Sequence, residues 1–89
     1  MWARQAHRWD RRNGKCCISL IRAGTRYRAE LETFPPDQTI SGKVERVLYI
    51  ESVPTPRSVV YKKHLDAGNA GAAMNQAIAS IRRLGYLPY

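Results

Sequence analysis

Between residues 26 and 34 the chain reads "RYRAELETF", and its positions alternate in character. Tyr27, Ala29, Leu31 and Thr33 fall on one side, with Arg26, Arg28, Glu30, Glu32 and Phe34 on the other. A period of two places successive side chains on opposite faces of a strand, so this segment predicts a half-buried β-strand. Upstream, Asn13-Gly14 is the strongest short hairpin signal, because a type I′ turn needs positive φ at both central residues. Taken as a two-residue turn, it sets Arg12 opposite Lys15, Arg11 opposite Cys16, Asp10 opposite Cys17, Trp9 opposite Ile18 and His7 opposite Leu20. Trp9, Cys16, Ile18 and Leu20 then share an inward face, and Arg8, Asp10, Arg12, Lys15 and Ser19 an outward one. A helix competes with a strand over residues 2–12, since Trp2, Ala6 and Trp9 also fit a helical stripe. A second turn at Gly24-Thr25, of type II′, sets Leu20 opposite Ala29 and Ile18 opposite Leu31. Both turns select the same inward face.

Pro35-Pro36-Asp37 stops the third strand. A fourth is expected over 43–53, with Val44, Leu48 and Ile50 on one side and Val47 and Tyr49 on the other. Being apolar on both sides, it predicts a central or doubly covered strand, its β-branched and aromatic content outweighing a helical reading. The prolines of "VPTPRS" bar regular pairing, and a fifth strand follows over 58–64. From Asn69 the period changes: Ala70, Ala73, Met74, Ala77, Ile78, Ile81 and Leu84 recur at three and four. Asp66 or Asn69 can cap this helix, and Gly85 stands where a C-terminal glycine belongs, after Arg82 and Arg83. The expected fold is α+β in one domain of 89 residues: an antiparallel sheet of about five strands with one C-terminal helix on one face. The first five residues are free to fray.

A magnitude follows from that architecture. Five strands make a sheet about 24 Å wide, and one helix covers about 10–12 Å. The rest of the apolar face needs the two tryptophans, the tail "YLPY" or a second copy of the chain. A homodimer is the expected solution.

Charge changes the picture next. The chain carries 15 Lys and Arg against 7 Asp and Glu, a net charge of +8. Arg4, Arg8, Arg11, Arg12, Lys15, Arg22, Arg26 and Arg28 face only Asp10 in the first third, while residues 29–66 nearly balance. An arginine excess suits a polyanion, because the planar guanidinium matches phosphate. The outward face therefore gives the candidate nucleic-acid contacts Arg8, Arg12, Lys15, Arg26 and Arg28. Asp10, Glu30 and Glu32 interrupt it and can instead form cross-strand ion pairs of small net worth. No RRM, KH, cold-shock or helix-turn-helix signature accompanies the charge.

Candidate chemistry is sparse. Cys16 and Cys17 are adjacent, which misses zinc-ligand spacing and, in a strand, points them to opposite faces. A disulfide between neighbours would be strained. His7 and His64 have no metal-binding spacing, and no acid, base or nucleophile pair carries a mechanism. The expectation is a non-catalytic module without metal or cofactor. Its reading as soluble, unprocessed and cytoplasmic rests on the lack of a membrane-length apolar run or a signal-peptide pattern. Nucleic-acid binding is the expected function, with a homodimeric protein or small-ligand interaction module as the alternative.

Overall fold

The computed structural model describes residues 10–12, 15–54 and 56–89, the first three by their backbone. Strand β1 is Asp10–Arg12, β2 is Lys15–Arg22 and β3 is Thr25–Phe34. A 3-10 turn at Pro36–Gln38 leads to β4, Glu45–Ser52, and β5, Ser58–Leu65. Helix α1 is Ala70–Arg83, and a short β6, Leu87–Pro88, ends the chain. The strands form one antiparallel path in the order β1-β2-β3-β4-β5. This is the α+β fold with a single C-terminal helix that the hydrophobic pattern predicts.

Arg12 pairs with Lys15, Arg11 with Cys16 and Asp10 with Cys17, as the Asn13-Gly14 signal requires. The turn itself lies outside the described residues, as do Trp9, His7, Arg8 and the choice between strand and helix before residue 10. The expected pairing of His7 with Leu20 therefore falls outside them too; among the described residues β6 sets Pro88 opposite Leu20 and Leu87 opposite Ile21. The second turn is corrected as well. Arg22 pairs with Thr25, Leu20 with Tyr27 and Ile18 with Ala29, so the two central residues are Ala23-Gly24 rather than Gly24-Thr25. Both have positive φ, 50° and 77°, which is the type I′ requirement. The error amounts to two residues of register. It therefore leaves every side chain on its expected face.

The face under α1 holds the core. Ile18, Leu20, Ala29, Leu31, Leu48 and Ile50 from the sheet bury against Ala73, Ala77, Ile78 and Ile81 from the helix. Ala73 and Ala77 have no exposed surface, so the small side chains let the helix lie close on the sheet. Burying each large aliphatic side chain contributes about 1.5–3 kcal/mol. Asn69, not Asp66, is the N-cap, its side chain accepting from the Ala72 N–H at 2.8 Å. At the other end Tyr86 N–H donates to Ile81 O at 3.3 Å and Gly85 N–H to Arg82 O at 3.0 Å, a Schellman motif closed by Gly85 at φ 88°.

That motif turns the tail back onto the sheet. Tyr86, 2% exposed, meets Tyr27 edge-on with centroids 4.9 Å apart. The Arg22 guanidinium sits 4.3 Å from the Tyr86 ring and donates to Leu84 O at 3.1 Å, a cation at the helix C-terminus. Tyr89 N–H then donates to Ser19 O at 3.0 Å. The tail "YLPY" thus supplies cover that the helix alone could not. No helix among the described residues is long and apolar enough to cross a membrane.

Two measurements test these local accounts. Ala23 is held left-handed, a conformation that costs a non-glycine residue about 1–2 kcal/mol and that asparagine tolerates better. Ala23→Asn therefore raises stability by up to about 1 kcal/mol in urea unfolding. Burial raises the Tyr86 phenol above its ordinary value, with Arg22 opposing. A phenol of higher pKa in the folded state stabilises fully below its unfolded value, about 10. That contribution is lost as pH rises from there through the folded value. Stability should hold up to about pH 10 and fall above it. Tyr86→Phe should fall less steeply, and an identical fall would place the alkaline sensitivity elsewhere.

Candidate functional site

The face of the sheet away from α1 is the outward face of the sequence pattern, and it divides into two halves. Register sets the rows. Lys15, Glu32, Val47 and His64 form one, Cys17, Glu30, Tyr49 and Lys62 the next, and Ser19, Arg28, Glu51 and Val59 a third.

On β2 and β3 the cations are already engaged. Lys15 Nζ lies 3.8 Å from Glu30 and 3.7 Å from Glu32. Arg28 Nε lies 3.5 Å from Glu30, and its Nη2 donates to Cys17 Sγ at 3.1 Å. The hydrogen bond to sulfur raises the Arg28 pKa despite some desolvation. Arginine is charged throughout the accessible range anyway, so no pH dependence follows. Arg26 is held differently, its guanidinium 4.1 Å above the Tyr89 ring. Part-exposed ion pairs of this kind contribute about 0–1 kcal/mol each. Their larger consequence is local neutrality. Of the five residues read from sequence, Lys15 and Arg28 are thus brought together in one ion-pair ladder with the acids. Arg26 stands apart on the tail. Arg12 is opposite Lys15 by backbone register, and its side chain and all of Arg8 lie outside the described residues.

On β4 and β5 the surface is different. An open cleft of about 310 Å³ lies between the sheet and the loop that follows β3. Val47, 2% exposed, belongs to its lining, with Phe34 and Tyr49 as half-buried rings and Lys62 and His64 from β5. Lys62 Nζ is 5.7 Å from the Tyr49 centroid. Neither Lys62 nor Lys43 has a carboxylate within 4 Å among the described residues.

The loop is ordered by its own short-range bonds. Pro36 opens the 3-10 turn, and Gln38 N–H donates to Pro35 O at 3.0 Å. Thr39 Oγ1 donates to Lys43 O at 2.8 Å, and Ser41 Oγ to Glu45 Oε2 at 2.7 Å. Gly42 N–H bonds Thr39 O at 3.4 Å, closing a four-residue turn with Ile40 and Ser41 at its centre. Ile40 stands at that apex fully exposed, an apolar side chain at the rim of the cleft.

No family model matches the sequence, and neither a curated protein nor a solved structure matches the chain. Its chemistry is therefore read from the residues alone. Cys16 is half-buried against the core and Cys17 is buried beneath the opposite face, both as free thiols. Among the described residues no group of three or more His, Cys, Asp or Glu side chains is gathered as for a metal ion.

The cleft residues were not candidates from sequence. "YKKHLD" reads as an exposed strand end, and "PPDQTISGK" as a stop. The one available signal was the second apolar side of β4, Val47 and Tyr49, which demanded some cover.

Proposed function

We propose that the chain is a small, non-catalytic, cytoplasmic module that binds nucleic acid through the open face of its sheet. The observation that carries this reading is the placing of Tyr49 beside Lys62 and His64 on the sheet face opposite α1. There a half-buried ring neighbours a lysine that has no carboxylate within 4 Å among the described residues. Bases stack on such rings while lysines and arginines follow the phosphates. The net charge of +8 supplies the long-range attraction. The contact set is centred on Lys62 and Lys43, extended by Arg8 and Arg12 from the N-terminal segment. Lys15 and Arg28 contribute less, because each phosphate contact would have to displace Glu30 or Glu32.

A homodimer is the second reading, and one observation favours it. β5 is an edge strand with no strand beside it among the described residues, and Val59 and Val60 on it are 57% and 49% exposed. Lys62 and Lys63 on the same edge oppose strand-to-strand association, which ranks this reading second. The earlier motive for a dimer, a bare face beside the helix, is met by Tyr86 and the tail.

A salt series separates the two. Log affinity for an oligonucleotide should fall linearly with log salt. The change Lys62→Ala should flatten the slope by about 0.7, the worth of one lost contact on a single strand. Lys15→Ala should change it less. No binding at 50 mM salt, with light scattering at twice the chain mass, would replace the nucleic-acid reading by the dimer.

A further inference from the structure

The cleft is more specific than a charged surface. Its lining combines two half-buried rings, Phe34 and Tyr49, an apolar Val47, a carboxylate, Glu45, and a cation, Lys62. Glu45 Oε2 accepts from Ser41, and Oε1 has no partner among the described residues. A carboxylate in the lining excludes a compact anion from the centre of the cleft. A cation that no carboxylate neutralises, carried by the edge strand, favours an anion at its margin. The fitting ligand is therefore neutral inside and anionic outside, with a flat apolar body and a donor for Glu45. About 310 Å³ is at the small end of ligand pockets, and the floor spans β3 to β5, about 10 Å.

We infer that this cleft seats one unpaired nucleobase bearing an exocyclic amino group. The base stacks against Tyr49 and Phe34, its amino group donates to Glu45 Oε1, and its phosphate lies against Lys62. The inference rests on the nucleic-acid reading above and narrows it to single strands. A base in a duplex has both faces stacked and its pairing edge taken, so only a splayed base can enter a recess. Glu45 then discriminates. Cytosine presents an amino donor where uracil presents a carbonyl acceptor, and a carboxylate bonds the first and repels the second. The exposed Ile40 at the rim gives the entering base an apolar edge to slide against, on a turn that is already ordered.

The test uses the full chain with three fluorescent probes at 50 mM salt: a ten-nucleotide oligo(dC), an oligo(dU) of the same length, and a blunt duplex. Oligo(dC) should bind about threefold to tenfold more tightly than oligo(dU), the worth of one hydrogen bond. Tyr49→Ala should weaken oligo(dC) by about fivefold or more, the worth of one stacked base, and leave the duplex within twofold. Glu45→Gln is the second variant, which keeps size and an acceptor and adds a donor for uracil O4. It should bring the dC-to-dU ratio close to one, with the circular dichroism and melting of the wild type. Equal affinity for oligo(dC) and oligo(dU), or a Tyr49→Ala loss shared equally with the duplex, would overturn the base seat and leave the surface reading standing. Absence of binding to all three probes would overturn both.

Discussion

Everything else in this molecule depends on the return of the chain after α1. A fourteen-residue helix with an alanine stripe can lie close on a sheet but cannot cover it. The Schellman turn at Gly85 directs Tyr86 into the remaining space. There Tyr27, Tyr86 and Arg22 form one contact group, with the Arg22 guanidinium also on the carbonyl of Leu84. The same turn delivers β6 to the edge of β2, which β1 covers only along its first three residues. The β2 side is thereby closed by β1 and β6, and at the other edge β5 has no strand beside it among the described residues.

That asymmetry organises the charges. Arginines near the closed edge are used internally: Arg22 on two tyrosines and a helix carbonyl, Arg26 on Tyr89, Arg28 on Cys17 and Glu30. On the open side Arg57 pairs with Glu51 at 3.1 Å, while Lys62 meets only the Tyr49 ring and has no carboxylate within 4 Å among the described residues. Net charge measured along the sequence therefore differs from charge available to a ligand. The available part sits beside Phe34, Val47 and Tyr49, where the sheet also offers flat apolar surface. Shape and charge coincide on β4 and β5 because both β2 and β3 spend their outward cations on Glu30 and Glu32.

The sheet and helix were legible because their signals are local. Alternation in "RYRAELETF" fixes faces, Asn13-Gly14 fixes a register, and the three-and-four spacing from Ala70 with Gly85 behind it fixes the helix. The second hairpin was misplaced because Ala23 carries no sign of the left-handed conformation it adopts. β6 was missed because two residues, one a proline, have no period. The candidate site was legible only as a face. Lys15 and Glu32 are far apart in sequence and meet only through the corrected β2–β3 register. The cleft draws on three strands and a loop, so no spacing along the chain could announce it.

The most direct measurement of the central claim, that the open face at β4 and β5 is the surface in use, is an amide and side-chain NMR titration with a single-stranded oligonucleotide at low salt. Shifts should concentrate at Ile40, Val47, Tyr49, Lys62 and His64 and leave Ala73, Ala77 and Ile81 unmoved. Shifts confined to Arg82 and Arg83 on the helix, or an unchanged spectrum at saturating oligonucleotide, would contradict it.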